Sequence, residues 1–219
     1  MRTNPRLARA RTAMSDVEPR AHWDDVYGAN RADDVSWYQS EPELSLKLIH
    51  RTGVGKNAAI VDVGGGASTL AEHLLHEGYG DLTVLDIASA GLKHAQRRLG
   101  AEADRIAWAT TDVAAWRPAR RFELWHDRAV LHFLTSSGEQ RAYVDTLRAA
   151  LISGGWAIIG GFAPGGPLRC SGLPVVRHDA ASLAGLLGEG FVLMETHGEI
   201  HVTPQGREQA FRYHVFARK

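Results

Sequence analysis

A glycine-rich turn between two acidic residues is the segment of this chain best suited to bind a ligand. An apolar run with Asp62 near its end leads directly into Gly64, Gly65 and Gly66, and Asp86 ends the next apolar run. Glycines let a ligand approach the backbone closely, and an acid at the end of the following strand completes a nucleoside-binding half-fold. The pattern predicts a nucleoside cofactor. The structural alternative is a tight turn without ligand, with Asp86 capping the next helix.

A second group of reactive side chains follows the fourth apolar run. His126, Asp127, Arg128 and His132 offer a base, an anion and a cation close together in sequence. If residues 127–134 form a helix, Arg128 and His132 share one of its faces. A metal site would need a further ligand, and no acid or histidine follows at ligand spacing. We therefore predict contacts to substrate here, with a structural role for at least one residue as the alternative.

Composition narrows the class of protein. The chain has 219 residues, 25 basic and 25 acidic side chains, and one cysteine, Cys170. Balanced charge gives no electrostatic reason to expect nucleic acid or a membrane as partner, and a single cysteine excludes an internal disulfide. No apolar run approaches the roughly 20 residues that cross a bilayer. We expect a cytoplasmic protein.

Apolar strands and amphipathic helices alternate from about residue 58 to residue 162. Such alternation is typical of a parallel sheet covered by helices. Residues 191–202 and 208–218 are extended and are joined by a Pro-x-Gly turn, which predicts a terminal antiparallel hairpin. The expected fold is a Rossmann-like, doubly wound α/β sheet of seven strands, mainly parallel. We expect a single domain over 17–219.

The N-terminal part of the chain is divided in two. Residues 1–16 are rich in arginine and lack hydrophobic periodicity, so we expect a disordered tail, with an organelle transit peptide as the alternative. Residues 17–52 are expected to form a helical segment ahead of the sheet. It contains Trp23, Trp37 and Tyr38.

With the glycine turn, Asp86 and the hairpin in place, residues 20–218 resemble the class I S-adenosylmethionine-dependent methyltransferases. Val61 to Gly66 is similar to their first motif. Ser68 stands where a third glycine is often found, and Thr69 replaces the last glycine of the dinucleotide pattern. The resemblance therefore implies S-adenosyl-L-methionine rather than NAD.

The resemblance also implies a role for each part of the site. In the family, the glycine loop lies beside methionine and ribose, the acid after the second strand accepts the ribose hydroxyls, and the acid after the third strand meets adenine. The N-terminal segment often folds over the cofactor as a lid, although Trp37 and Tyr38 could equally pack on the core. The implied cofactor-binding residues are Asp62, Gly64, Gly65, Gly66, Ser68, Asp86, Ile87, Asp112, Val113, Trp37 and Tyr38. The implied catalytic residues are Asp127, His126, His132 and Arg128.

The resemblance implies methyl transfer to a nucleophilic atom of an acceptor. An aromatic lid and a compact loop favour a small-molecule acceptor over a protein. The alternatives are a protein-lysine methyltransferase, a non-catalytic nucleoside-binding module and, less favoured, an NAD-dependent oxidoreductase. The Asn/Asp-Pro-Pro-Tyr motif of the adenine and glutamine amino-methylating subgroup is missing.

Overall fold

The structure is a computed structural model that describes residues 19–219. The predicted N-terminal tail, residues 1–16, lies outside the described residues. Within 19–219, no helix has both the length and the apolar character needed to cross a bilayer.

The described residues form helices and strands in an alternating order. The helices are α1 (Pro19–Ala29), α2 (Glu43–Thr52), α3 (Leu70–His76), α4 (Ser89–Leu99), α5 (Ser137–Ala150) and α6 (Ala180–Leu187). The strands are β1 (Ala59–Val63), β2 (Asp81–Asp86), β3 (Ile106–Thr110), β4 (Phe122–Arg128), β5 (Leu151–Phe162), β6 (Arg169–Cys170), β7 (Leu173–Pro174), β8 (Phe191–Val202) and β9 (Glu208–Arg218). Short 3-10 turns cover Gly100–Arg105 and Leu131–Phe133.

Seven of the strands form one sheet in the order β3-β2-β1-β4-β5-β9-β8. The strands from β3 to β5 pair in parallel, whereas β9 runs antiparallel between β5 and β8. The predicted fold class, a mainly parallel seven-stranded sheet with a terminal hairpin, is therefore confirmed. The order reverses between β1 and β4, and in open parallel sheets ligands bind at such a reversal, beyond the carboxyl ends of the strands.

Apolar side chains cover both faces of the central strands. Ile60 and Leu124 pack with residues of α2, α3 and α4, while Val61 and Trp125 pack on the opposite face with residues of α5 and α6. All four are at most 1% exposed. Burying each such side chain stabilises the fold by about 1.5–3 kcal/mol. A sheet buried on both faces explains why the strands read as continuous apolar runs.

The helix considered over residues 127–134 is not formed, so Arg128 and His132 do not share a helix face. Strand β4 extends to Arg128, Ala129 takes a left-handed φ of 72°, and a 3-10 turn follows. Two further elements, the β6–β7 ladder and α6, occur where the sequence predicts a loop or no regular structure. Short ladders and eight-residue helices carry too few periodic positions to be recognised in sequence.

Candidate active site

The glycine turn packs tightly against the ends of β1 and β2. The backbone N–H groups of Gly64 and Gly65 donate to the carbonyl of Leu85, at 2.6 and 3.2 Å. Gly64 has a φ of 69°, and a Cβ there would overlap the side chain of Val130. Glycine is therefore required at Gly64 by conformation and by space.

Residues from two distant parts of the chain meet above Gly66. A Cβ on Gly66 would contact the hydroxyl of Tyr27 and would lie 2.9 Å from Oδ2 of Asp86. Tyr27 belongs to α1 and is 5% exposed, and Asp86 ends β2 and is 6% exposed. Helix α1 thus covers the carboxylate that the family resemblance assigns to the ribose.

Asp86 also caps the helix that follows it. Its Oδ1 accepts the backbone N–H of Ala88 at 2.7 Å, so the capping contact considered as the alternative is present. Burial, together with the nearby charges of Asp62 and Asp24, raises the pKa of Asp86 to about 7. In this environment, any additional hydrogen-bond donor stabilises the ionised form of the carboxylate.

The other residues proposed for adenosine lie at the neighbouring strand ends. Ile87 follows β2, next to Ala88 and Tyr27 in a small apolar cluster. Asp112 is exposed after β3 and its Oδ1 accepts the N–H of Ala114 at 2.9 Å, whereas Val113 is buried in the core. Their placement matches the edge at which a nucleoside would lie.

A narrow cleft with a cavity volume of about 40 Å³ lies over β1 and β4, beside the glycine turn. It is lined by Ala32, Val35, Trp37, Tyr38, Gln39, Pro42, Ser45, Asp62, Val63, Gly64, Gly65, Ala67, Ser68, Leu70, His126 and Arg128. Eight of these were predicted from the sequence as site residues, and they come from three segments: the aromatic segment, the glycine turn and the end of β4. The predicted residues that do not line the cleft are Gly66, Asp86, Ile87, Asp112, Val113, Asp127 and His132.

A buried chain of hydrogen bonds crosses the floor of the cleft. Nδ1 of His126 lies 2.7 Å from Oδ1 of Asp62, and Nε2 of His126 lies 2.9 Å from the hydroxyl of Ser45. A carboxylate only accepts, so Nδ1 carries the proton and Nε2 accepts from the Ser45 hydroxyl. All three residues are at most 5% exposed. The other carboxylate oxygen of Asp62, Oδ2, is buried and has no hydrogen-bond partner among residues 19–219.

Arg128, which also lines the cleft, is held in one orientation. Its Nε donates to the hydroxyl of Tyr213 at 2.9 Å, its Nη1 donates to the carbonyl of Trp37 at 3.1 Å, and its guanidinium lies over the ring of Phe211. Nη2 lies 3.8 Å from Glu199 but makes no hydrogen bond to any described residue. The cleft therefore presents one free carboxylate oxygen and one free guanidinium nitrogen.

Tyr213 connects this arginine to an acid. Burial raises the pKa of Tyr213 to about 12, so its hydroxyl is protonated at neutral pH. It accepts from Arg128 and donates to Glu199 at 3.2 Å. Gln39 donates to the same glutamate at 3.0 Å, which ties the segment before α2 to strand β8.

Asp127 is enclosed on the other face of the sheet and does not reach the cleft. Its carboxylate accepts the N–H groups of Val130 and Leu131 at 2.8 and 3.1 Å, and the hydroxyl of Tyr143 at 2.7 Å. It is 0% exposed, and burial raises its pKa to about 6 although these hydrogen bonds lower it. This geometry is that of a turn cap, the structural alternative.

His132 is likewise apart from the cleft. It is 2% exposed, packs edge-on against Phe133, and borders a small cavity with His178 and His214. Neither of its ring nitrogens has a hydrogen-bond partner among the described residues. In that part of the chain, no group of three or more His, Cys, Asp or Glu side chains is arranged to hold a metal ion. The structure thus places His132 in packing rather than beside His126.

We expect the burial of His132 to make the protein less stable in mild acid. Burial, with Arg128 and His178 nearby, lowers its pKa to about 3, so the unfolded state binds a proton below pH 6.5 that the folded state does not. The free energy of unfolding therefore falls as the pH falls from 6.5 towards 3, by about 2 kcal/mol at pH 5 from this group. Urea unfolding at pH 7.5 and 5 measures it, and His132→Phe, which keeps an aromatic ring, should lose less stability between the two. Equal losses in both proteins would contradict the assignment.

Aromatic side chains of the N-terminal segment pack on one another and on the cleft. Trp37 lies edge-on to Trp23 and Tyr27, with ring centroids 5.7 and 5.9 Å apart, and Trp23 contacts Phe133 at 4.9 Å. Trp37 and Tyr38 also line the cleft. The packing alternative is therefore present for Trp37, and both residues border the cleft that a lid would cover.

Four residues of the site were missed in the sequence: Ser45, Tyr27, Tyr213 and Glu199. Ser45 gives a weak signal, because it is a polar residue at a buried position of the amphipathic helix α2. Tyr27 occupies a helical position like that of any core aromatic residue. Tyr213 and Glu199 lie on strands far away in sequence, where pairing alone brings them to Arg128.

The sequence was compared with models of known families and with curated proteins. Residues 60–155 match a family model described as a methyltransferase domain. This range contains β1 to β4 and the start of β5, with the glycine turn and the end of β4. No curated protein matches the chain.

Solved structures share the fold over most of the chain. N-methyltransferase NodS from Bradyrhizobium japonicum WM9, in complex with S-adenosyl-L-homocysteine, is 19% identical with a TM-score of 0.67, over 89% of this chain and 97% of that one. A Burkholderia thailandensis 1,6-didemethyltoxoflavin-N1-methyltransferase with bound 1,6-didemethyltoxoflavin and S-adenosylhomocysteine is 18% identical with a TM-score of 0.65, over 91% and 84%. A SAM-dependent methyltransferase from Anabaena variabilis ATCC 29413 is 13% identical with a TM-score of 0.72, over 93% and 96%. At these identities the likeness is one of fold.

Proposed function

We propose that this chain is a class I S-adenosylmethionine-dependent methyltransferase, which transfers the methyl group of S-adenosyl-L-methionine to a nucleophilic atom of a small-molecule acceptor. The methyltransferase-domain model that matches residues 60–155 and the seven-stranded sheet support the family. The observation that carries the proposed acceptor class is the narrow cleft, with a cavity volume of about 40 Å³, which an aromatic segment borders. Acceptors of small size are also named for similar proteins, 1,6-didemethyltoxoflavin among them.

The residues present fit the cofactor. The glycine turn packs too closely for any side chain at Gly64, Gly65 or Gly66, so only its backbone borders the site. The cleft beside it holds two buried atoms of opposite charge, Asp62 Oδ2 and Arg128 Nη2, that have no hydrogen-bond partner among residues 19–219. We assign Asp62 to the ammonium group and Arg128 to the carboxylate of the methionine end, because each would gain a charge-assisted hydrogen bond. We keep Asp86 and Ile87 for the ribose, and Asp112 and Val113 for adenine. Ser68, exposed at the rim, completes the loop.

We also propose that helix α1 acts as a lid over the cofactor. Tyr27 lies over Gly66 beside Asp86, so α1 has to shift before a ribose can reach that carboxylate. Residues 20–40 then close over the bound cofactor, with Trp37 at the cleft. Aromatic faces attract a sulfonium cation and exclude water from it.

The cofactor supplies a methyl group on a cationic sulfur, and the protein supplies alignment. In-line transfer needs the nucleophile and the methyl carbon in contact, which positioning residues provide. We assign His126 to the acceptor side of the cleft, by way of Ser45, whereas the hydrogen bond to Tyr213 holds Arg128 in place for the methionine end of the cofactor. Asp127 and His132 keep a structural role, since neither lines the cleft.

The acceptor class is tested with methyl-labelled S-adenosyl-L-methionine and two acceptor pools. One pool is a protein-free metabolite extract, and the other is total protein freed of small molecules. Label in the metabolite pool is expected. Label only in protein would favour the protein-lysine alternative, and binding of S-adenosylhomocysteine with no label in either pool would favour a non-catalytic module.

The methionine-end assignment predicts a selective loss of affinity in Arg128→Gln. Losing a hydrogen bond between charged groups costs about 1.5–3 kcal/mol, so S-adenosylhomocysteine should bind more weakly by that amount. Methylthioadenosine lacks the amino-acid end, and its affinity should be unchanged. Calorimetry measures both. Arg51→Gln, which removes an outer ion pair with Glu195, is the matched control. Equal losses for both ligands in Arg128→Gln would refute the assignment.

A further inference from the structure

We propose that Ser45, His126 and Asp62 form a proton relay that removes the proton from the acceptor during methyl transfer. The three residues, called the relay below, come from α2, β4 and β1 and lie in line on the floor of the cleft. The inference deepens the proposed function and rests on it. It also specifies the acceptor class: a nucleophile that carries a proton at neutral pH, as an ammonium or a hydroxyl group does.

The hydrogen bonds give the relay a direction. Asp62 accepts from Nδ1 of His126 at 2.7 Å, which leaves Nε2 as the acceptor for the Ser45 hydroxyl at 2.9 Å. Ser45 therefore points its proton towards His126, and its oxygen, which also lies beside the Tyr213 hydroxyl, has two lone pairs, one of which can accept from a donor in the cleft. An acceptor N–H or O–H is the matching donor. The same order of groups, hydroxyl to imidazole to carboxylate, is used elsewhere in proteins to move protons.

The burial of the three relay residues favours a role in proton transfer. Ser45, His126 and Asp62 are 1%, 2% and 5% exposed, so bulk water does not compete for the imidazole nitrogen. The carboxylate of Asp62 stabilises the imidazolium that forms when His126 takes up a proton. Asp62 can do so with Oδ1 while Oδ2 is free for the cofactor.

The step balances in atoms and charge. The electron pair of the nucleophile, which in an ammonium group becomes free only when the proton leaves, forms the bond to the methyl carbon, and the bond from that carbon to the cationic sulfur breaks with its electrons going to sulfur. The nucleophile passes its proton to the oxygen of Ser45 as the hydroxyl proton of Ser45 moves to Nε2 of His126. The products are a methylated acceptor, a neutral thioether and a protonated His126, which returns its proton to solvent after release. Ser45 contacts the acceptor, whereas His126 and Asp62 are positioning residues that act through it.

The structural alternative is that these hydrogen bonds only fasten α2 to the sheet. Both interpretations predict some loss of stability when Ser45 is changed, so stability alone does not separate them. The pH dependence of the rate does. Without the relay, solvent base must take the proton, and the rate should rise steeply with pH. A change in packing would instead lower the rate by a similar factor at every pH.

The test measures initial rates of label transfer from S-adenosyl-L-methionine to the metabolite extract between pH 6.5 and 9. Ser45→Ala is expected to lower the rate at pH 7 by about 10- to 100-fold, in the lower part of the range for general-base catalysis, with a deficit that shrinks towards pH 9. Affinity for S-adenosylhomocysteine should stay within about twofold. Ser45→Thr, which keeps the hydroxyl, should recover most of the rate. Thr52→Ala removes another hydroxyl of α2, one that bonds only Ile49 of its own helix and the following backbone, and should behave as wild type.

Three outcomes would overturn the relay: a Ser45→Ala rate equal to wild type, a deficit that is constant across pH, or a deficit explained by weaker cofactor binding. In each of them the wild-type protein still labels small molecules, so the proposed function stands. If the wild-type protein labels nothing in the metabolite extract, the proposed function fails and the relay fails with it.

Discussion

Asp86→Ala is expected to weaken the binding of S-adenosylhomocysteine by about 2–4 kcal/mol. The substitution removes the acceptor of two hydrogen bonds from the ribose hydroxyls. Each hydrogen bond to a charged group contributes about 1.5–3 kcal/mol, and the two contributions are less than additive. Calorimetry at pH 8 measures the change. Asp104→Ala removes an exposed carboxylate on the turn before β3 and should leave the affinity unchanged. An unaltered affinity in Asp86→Ala would rule out the ribose assignment.

The pH dependence of the same affinity gives a second test of Asp86. In the free protein burial raises its pKa to about 7, whereas hydroxyl donors favour the ionised form. Binding below pH 7 must therefore release a proton, and the affinity should fall by about tenfold between pH 8 and 6. Asp86→Asn keeps an oxygen for the N–H of Ala88 but cannot ionise. It should lose this part of the pH dependence, and a slope identical to wild type would mean that another group titrates.

Asp127→Ala is expected to lower the free energy of unfolding by about 3–5 kcal/mol, the largest stability effect that we predict. The carboxylate satisfies the N–H groups of Val130 and Leu131 and the hydroxyl of Tyr143, all at a fully buried position. Each buried donor left without a partner costs about 1–3 kcal/mol. Urea unfolding at pH 7.5 measures the loss.

A comparison of two aspartates tests the cause of that loss. Asp112 also caps a turn, through the N–H of Ala114, but it is exposed. Water can replace its carboxylate, so Asp112→Ala should cost only about 1 kcal/mol. If Asp127→Ala costs no more than Asp112→Ala, but abolishes methyl transfer, then Asp127 acts on the acceptor after all and the structural assignment is wrong.

The residues at the end of β4 serve either the cleft or the turn that follows, because side chains alternate between the two faces of a strand. Side chains along a strand point to opposite faces, so His126 and Arg128 face α2 and the cleft while Asp127 between them faces α5. The sequence groups these residues as neighbours. The sheet separates them into a site and a support for the turn that follows.

The sequence by itself determined the sheet and the glycine turn that follows its first strand. Residues 59–63 and 81–86 are buried on both faces, so their apolar character is continuous and their ends are sharp. Glycines that need a positive φ or closely packed backbone, such as Gly64, are likewise visible, because few other residues can replace them. Because these requirements concern residues close together in the chain, a short stretch of sequence is enough to recognise them.

Only the tertiary structure decided which polar side chains share the cleft. Ser45 and Tyr213 lie far from His126 and Arg128 in the chain, and no periodicity marks them as partners. Tyr27 similarly reaches Asp86 only because α1 packs across the sheet edge. Hydrogen bonds between distant segments depend on strand order, register and helix placement together, and these are set by the burial of the whole core rather than by any short stretch of sequence.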